Sequence, residues 1–351
     1  MTKEQRIALI KELQQARESY VITYLTSNRQ GIDIRMSMDV IRKAYNHLEY
    51  IKDKRGKVNI DLYLCSNGGD GTMPWRLVTL IREYAKKFSV IVPFNAFSAA
   101  TLTALGANEI VMHSMGMLGP TDATVANTFN PDDPSNPGKK QGISVEDVTS
   151  YISLIKEDVG ITHEDELVQA FNKLPEKIHP LALGNVKRSL AQSRMLAKKL
   201  LSLHMNIKDE HKINEIVDNL TSKLYYHGHP INRKEATEIG LDRVISADPK
   251  LEKLIWDLYL GYEAAMKLNT PFNPATEFIA ANPGLAPLPP PTNPPVPTVY
   301  TTTASSCKLV YMESEFRTDV QEMQYEITGY KAHNGQYQLN TVVLNQDWKT
   351  E

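Results

Sequence analysis

Between Val58 and His113 the chain repeats one pattern: a short apolar run, a joint of small or polar residues, then a helix-compatible stretch. Val58–Leu64 (VNIDLYL), Val90–Phe94 (VIVPF) and Glu109–His113 (EIVMH) have the β-branched and aromatic make-up of buried strands. Pro74–Lys87 and Ala99–Gly106 supply the helices between them. Strands that return through helices run parallel, and their crossovers are right-handed. Ligands of such sheets sit beyond the carboxyl ends of the strands. Both joints fall there: Cys65-Ser66-Asn67-Gly68-Gly69-Asp70-Gly71 after the first strand, and Ser98 at the start of the second helix.

Each joint alone has a plain reading. A serine before a helix is usually its N-cap, and a glycine pair after a strand is usually a tight turn. One helix and one strand apart, they combine into something more specific. The first turn of a helix offers free N–H groups and the positive end of its dipole. Ser98 is then a candidate nucleophile. The N–H groups of Gly68 or Gly69, together with that of Ala99, are candidate oxyanion donors.

Composition narrows the class. With 351 residues, 42% apolar and 23% charged, the chain has material for a sizeable core. A net charge of -2 gives no basic face for nucleic acid. Cys65 and Cys307 make no disulfide framework, which points to a reducing, cytoplasmic setting. Met1–Tyr20 is charged throughout and lacks a secretory core, and no run approaches the roughly 18 apolar residues of a membrane span. His227-Gly228-His229 lacks a third metal ligand and reads as a turn; no metal or cofactor is implied.

The remaining chain falls into three parts. Residues 1–268 form the α/β unit. It opens with a helix over Lys3–Glu18 (apolar at Ile7, Ile10, Leu13 and Ala16), a strand over Tyr20–Leu25 and a helix over Met36–Ile51. After an exposed loop at Asn127–Gly142, helices are expected over Val145–Asp158, Asp165–Asn172, Leu183–Leu203, Ile213–Leu224 and Leu251–Lys267. Residues 269–299 hold ten of the 20 prolines and are expected to be an extended linker. Residues 300–351 form a β-rich tail with a hairpin at Asn334-Gly335. A lone hairpin is marginal in water, so the tail should dock on a sheet or on another copy, as in a homo-oligomer.

The strand ending in Ser66-Asn67-Gly68-Gly69-Asp70, the run from Phe94 through Ser98 to Met112 (FNAFSAATLTALGANEIVM) and the turn Leu118-Gly119-Pro120-Thr121-Asp122 resemble the Clp/crotonase superfamily. Within it the match is to the serine dehydrogenase proteinase family, relatives of signal-peptide peptidase A. The segment from Gly228 to Asp242 resembles the closing helix–strand element, and the resemblance covers roughly Ile32 to Ile245. It implies an α/β spiral of ββα units and an ATP-independent serine endopeptidase that acts as an oligomer on peptide or protein substrates. Ser98 matches the nucleophile; Gly68, Gly69 and Ala99 match the oxyanion hole.

Two departures matter. Relatives commonly carry Ser-Gly-Gly where this chain has Ser98-Ala99-Ala100, though alanine still offers its N–H. Clp peptidases place a histidine base after the next strand, and Met117–Asp122 holds none. A lysine base, as in signal-peptide peptidases, is the better reading. It must lose its proton near neutral pH, so it needs burial or a neighbouring cation. Lys187, with Arg188 beside it, is the first candidate and Lys177 and His179 are the runners-up; Lys139, a further alternative, sits with Lys140 in a polar loop and reads as solvated. Asp122 either orients the base or caps its turn. Two rival readings are a crotonase-type acyl-CoA hydratase or isomerase, which wants a carboxylate where Ser98 stands, and a non-catalytic peptide-binding scaffold.

Overall fold

The computed structural model describes all residues except 56, 122–123, 126, 136–137, 223–228 and 292–297. Helix α1 (Lys3–Arg17) leads into β1 (Tyr20–Thr26), α2 (Val40–Arg55) into β2 (Val58–Cys65) and α3 (Met73–Tyr84) into β3 (Ala85–Val92). A short β4 (Asn95–Ala96) precedes α4 (Ala99–Leu105), β5 (Glu109–Met112) and β6 (Met117–Leu118). The pair β7 (Thr124–Val125) and β8 (Ile143–Ser144) opens a helical stretch of α5 (Val145–Ser153), α6 (Glu164–Asn172), α7 (Pro180–Leu201), α8 (Glu210–Ser222) and α9 (Arg233–Glu238). Then come β9 (Val244–Ser246), α10 (Pro249–Met266), α11 (Pro274–Ala281), β10 (Thr301–Ser314), β11 (Arg317–Lys331) and β12 (Tyr337–Thr350).

The main sheet has eight strands in the order β12-β11-β10-β1-β2-β3-β5-β9. From β1 to β9 the pairs are parallel, as the strand–helix alternation requires. Both faces are covered. Ile60, Leu62 and Leu64 of β2 join the core under α3 and α4, while Tyr63 and Cys65 join the core under α1 and α10. Burial on both faces explains why the last six residues of β2 are inaccessible and, apart from Asp61, which pairs with Arg17 at 2.8 Å, carry no charge. Beside the main sheet, β4 pairs in parallel with β6, and Ala96 bridges to Ser66. The second small sheet therefore starts where the two joints meet.

Some elements depart from the expected bounds. Helix α3 stops at Tyr84, and the following strand begins at Ala85 rather than Val90. Lys86 and Lys87 are the exposed start of that strand, and Lys87 pairs with Glu109 on β5 at 2.5 Å. Met36 is not helical. Its N–H donates to Gly68 O (2.8 Å), and its carbonyl accepts from Asp70 N–H (2.8 Å), so it props the glycine joint from behind.

The proline-rich stretch is not extended throughout. Asn273 Oδ1 accepts from the N–H groups of Ala275 and Thr276, Pro274 occupies the first helical turn, and α11 follows. Phe278 of α11 is fully buried in the main core. The tail continues the main sheet: β10 pairs antiparallel with β1 (Thr23 opposite Glu313), and β11 and β12 extend it as a meander. Its last turn is at Asn334-Gly335, where Gly335 has φ 83°.

A buried ion pair locks α1 to β10. Arg6 on α1 grips Glu313 on β10 through Nε (2.9 Å) and Nη2 (3.0 Å), both side chains being almost inaccessible. Tyr262 of α10 (2.6 Å) and Thr318 of β11 (2.7 Å) donate to the same carboxylate. Arg6→Ala would strand a hydrogen-bonded carboxylate away from water. It is expected to cost about 3–5 kcal/mol of stability, read by chemical denaturation, with part of the loss restored in Arg6→Ala/Glu313→Leu. A loss below 1 kcal/mol would mean that water reaches the carboxylate.

Candidate active site

The glycine joint is built against Ser98. Gly68 has φ 96°, a conformation glycine adopts without strain. A side-chain carbon there would lie 2.6 Å from Phe97 O and 2.9 Å from Ser98 Cβ. Gly68 N–H donates to Ser66 Oγ (3.1 Å), which itself bonds to Thr26 Oγ1 (2.6 Å). Gly69 N–H and Ala99 N–H make no hydrogen bond to the fold among the described residues. They are thus the two amides free to receive an oxyanion.

Ser98 has φ 53° and ψ -113°. Among the described residues only Glu18 and Lys267, both helix C-caps, share a positive φ without being glycine. A non-glycine residue there stores about 1–3 kcal/mol of strain unless its surroundings hold it. They do so on both sides. Ser66 N–H donates to Asn95 O (2.8 Å) and Phe97 N–H to Ser66 O (2.9 Å), which ladders one joint to the other. Downstream, the Thr101 hydroxyl lies 2.7 Å from Ala96 O and 2.8 Å from Gly119 O, and accepts from Gly119 N–H (3.1 Å). The Ser98 side chain makes no capping bond, so the plain N-cap reading does not describe it. A serine on a strained strand-to-helix turn presents its hydroxyl outward, the geometry of a nucleophile elbow.

Ser98 opens into a cleft of about 660 Å³. Its walls are the Arg29–Arg35 segment, the glycine joint, Thr121 and one stripe of α7: Ser189, Gln192, Ser193 and Leu196. Ser193 Oγ bonds to Thr121 O and fixes that helix over the site. Asp33 pairs with Arg35 in the open at 3.1 Å, while Arg29 is buried and donates to Thr270 O (2.7 Å).

Among the described residues, no lysine or histidine lines the cleft. The structure brings Ser98, Gly68, Gly69 and Ala99 together but leaves Lys187 outside. At 100° per residue, Lys187 projects from the opposite side of α7 to the lining stripe, and it is exposed, as is Arg188. Lys139, Lys140 and Lys177 are also exposed; Lys140 pairs with Asp132 at 2.8 Å. His179 is the N-cap of α7, its Nδ1 accepting from Leu181 N–H (3.2 Å). Asp122 and His227 lie outside the described residues. His229 bonds to Glu235 (2.6 Å), and no metal-holding cluster occurs among the described residues. Cys65 is buried, and burial pushes its thiol up to about 12, so it is no nucleophile.

Sequence reasoning missed Met36 and Thr101 as props of the two joints. Thr101 carried a faint signal, as one of two threonines in an otherwise apolar, fully buried helix. Met36 carried none.

The sequence model of the ClpP-like SDH-type serine proteinases matches residues 1–179, the stretch that holds both joints. The chain belongs to that family. Its sheet, helix-covered on both faces, is the Clp/crotonase-like α/β architecture, extended by C-terminal strands. Two curated proteins of Methanocaldococcus jannaschii, both described as uncharacterized, are similar to this proteinase. One is 22% identical over 258 residues (72% of this chain, 76% of the relative), the other 25% over 242 (68% and 72%). Among solved structures, a membrane-bound stomatin-specific protease is 12% identical with a TM-score of 0.37, covering 66% of this chain and 82% of that one. The catalytic domain of a ClpP protease from Plasmodium falciparum is 11% identical with a TM-score of 0.35 (71% and 96%). No helix among the proteinase's described residues is long and apolar enough to cross a membrane.

Proposed function

We propose that the chain is an ATP-independent serine endopeptidase that works in the cytoplasm as a homo-oligomer, with Ser98 as nucleophile and a lysine as base. The observation that carries this reading is the Ser98 elbow, held in strain beside two uncommitted amides, Gly69 N–H and Ala99 N–H. Ser98 Oγ attacks the peptide carbonyl carbon, and the carbonyl oxygen takes up negative charge between those amides. The hydroxyl proton passes to the base and then to the leaving amine; water reverses the sequence to release the acyl group. A carboxylate-driven acyl-CoA reaction is disfavoured because Ser98 occupies the joint that would carry the acid.

Because no lysine or histidine lines the cleft among the described residues, and the arginines that do line it hold their protons too tightly to act as a base, we assign the base to a neighbouring copy. Lys187 is the first candidate, since it stands on the exposed side of the helix that walls the site. The test is complementation. Ser98→Ala and Lys187→Ala are each expected to be inactive, and mixing them should recover hydrolysis through hybrid sites. Wild-type turnover in Lys187→Ala would move the assignment to Lys139, Lys177 or His179. Two dead variants without recovery would place the base in the same chain. If no lysine or histidine variant affects turnover of a cleaved peptide, the lysine mechanism fails. If the wild type neither cleaves peptides nor labels with a fluorophosphonate, the peptide-binding scaffold is the reading that remains.

A further inference from the structure

Asn95 ties the two joints together a second time, through its side chain. It is buried, and its carboxamide makes two hydrogen bonds. Cys65 Sγ donates to its Oδ1 (3.1 Å), and its Nδ2 donates to Asn67 Oδ1. The buried thiol keeps its proton and donates it to Oδ1, and the amide sits with oxygen toward sulfur and nitrogen toward Asn67. Asn67 is exposed and lines the same cleft as Ser98 and Gly69. With its oxygen turned back to accept from Asn95, its Nδ2 group keeps both N–H donors for the cleft. Freezing an exposed side chain costs rotamer entropy that a single hydrogen bond at the surface barely offsets. A buried amide placed solely for packing would more usually bond to backbone. Here both bonds go to side chains, and the chain of three ends in the cleft.

We propose that Cys65, Asn95 and Asn67 form a relay that holds the Asn67 carboxamide as a third hydrogen-bond donor to the substrate's carbonyl oxygen, beside Gly69 and Ala99. This rests on the reading of Ser98 as nucleophile. Asn67 is then a catalytic residue, because it touches the reacting carbonyl. Asn95 and Cys65 are positioning residues that act through it.

A fluorophosphonate probe tests this directly. Ser98 Oγ forms a bond to phosphorus, fluoride leaves with the P–F electron pair, the hydroxyl proton goes to the base, and the phosphoryl oxygen occupies the oxyanion site. Asn67→Ala is expected to lower the maximal labelling rate kinact about tenfold or more while the apparent affinity KI changes less than about threefold. Asn95→Leu should show a similar fall, and the double variant should fall no further, because Asn95 acts only through Asn67. Asn95→Asp guards against misfolding in the leucine variant. Its ionised carboxyl cannot donate to Asn67 and its protonated form can. The ratio of variant to wild-type kinact should therefore rise as pH drops through the carboxyl's titration. Three results would overturn the relay: unchanged kinact in Asn67→Ala, multiplied losses in the double variant, or a pH-independent ratio in Asn95→Asp. In each case Ser98→Ala must still abolish labelling. If labelling persists in Ser98→Ala, it is the nucleophile assignment that fails.

Discussion

Ser98→Ala is expected to abolish peptide hydrolysis, by about three orders of magnitude or more, and to leave the fold standing. The missing hydroxyl removes the nucleophile outright, whereas what remains of such a site, oxyanion donors and binding, gives only residual catalysis. Stability should change by less than about 1 kcal/mol. The side chain caps nothing, and the positive φ is imposed by the laddered backbone of Ser66, Asn95 and Phe97 rather than by the hydroxyl. Hydrolysis rate and thermal denaturation, measured on the same preparation, separate the two effects. Hydrolysis within tenfold of wild type in a folded Ser98→Ala protein would remove Ser98 from the mechanism.

Gly68→Ala should be nearly as damaging, by a different route. Its methyl would press into Phe97 O and Ser98 Cβ, and the nearest remaining atom is Ala99 N at 3.1 Å. Alanine at φ 96° is itself strained. The joint must open, and the amides of Gly69 and Ala99 then separate from the position of the reacting carbonyl. Loss of one well-aimed donor lowers kcat about 10²–10³-fold, and displacement of the whole joint should cost at least that. A destabilisation of about 1–3 kcal/mol should accompany it. Wild-type kcat in this variant would show that the joint takes no part in the chemistry.

Much of this site was legible because its chemistry depends on local chain geometry. A strand, a glycine pair, a helix, a second strand and a serine fix the two joints relative to each other through the parallel pairing of β2 and β3, with no need for distant residues. The orientation of Lys187 was not legible, for the opposite reason: its place near the start of a long helix is a local property, but which way a helix faces is set by tertiary packing. Buried Val186 and Leu196 and the bond from Ser193 to Thr121 turn Lys187 away from the cleft. The proline-rich stretch misled through composition. Ten prolines outweighed one Asn-Pro helix start, although Phe278 gives that short helix something to bury. The tail was recognisable as strands, but no local pattern could reveal that its partner is β1, almost the whole chain away.

That pairing sets an order of events during synthesis. Strand β1 leaves the ribosome well before β10, with residues 27–300 between them. Until β10 emerges, one edge of β1 is an open template for foreign strands, and Arg6 has no carboxylate to meet. The strands that carry Ser98 and the glycine joint can pair early, since β2 and β3 are neighbours in sequence as well as in space. The sheet they belong to is sealed only when the last β-strands arrive. A nascent chain stalled before residue 300 would thus hold the local parts of its reactive centre on an unfinished sheet. Translation through β10, β11 and β12 completes the scaffold on which the site depends.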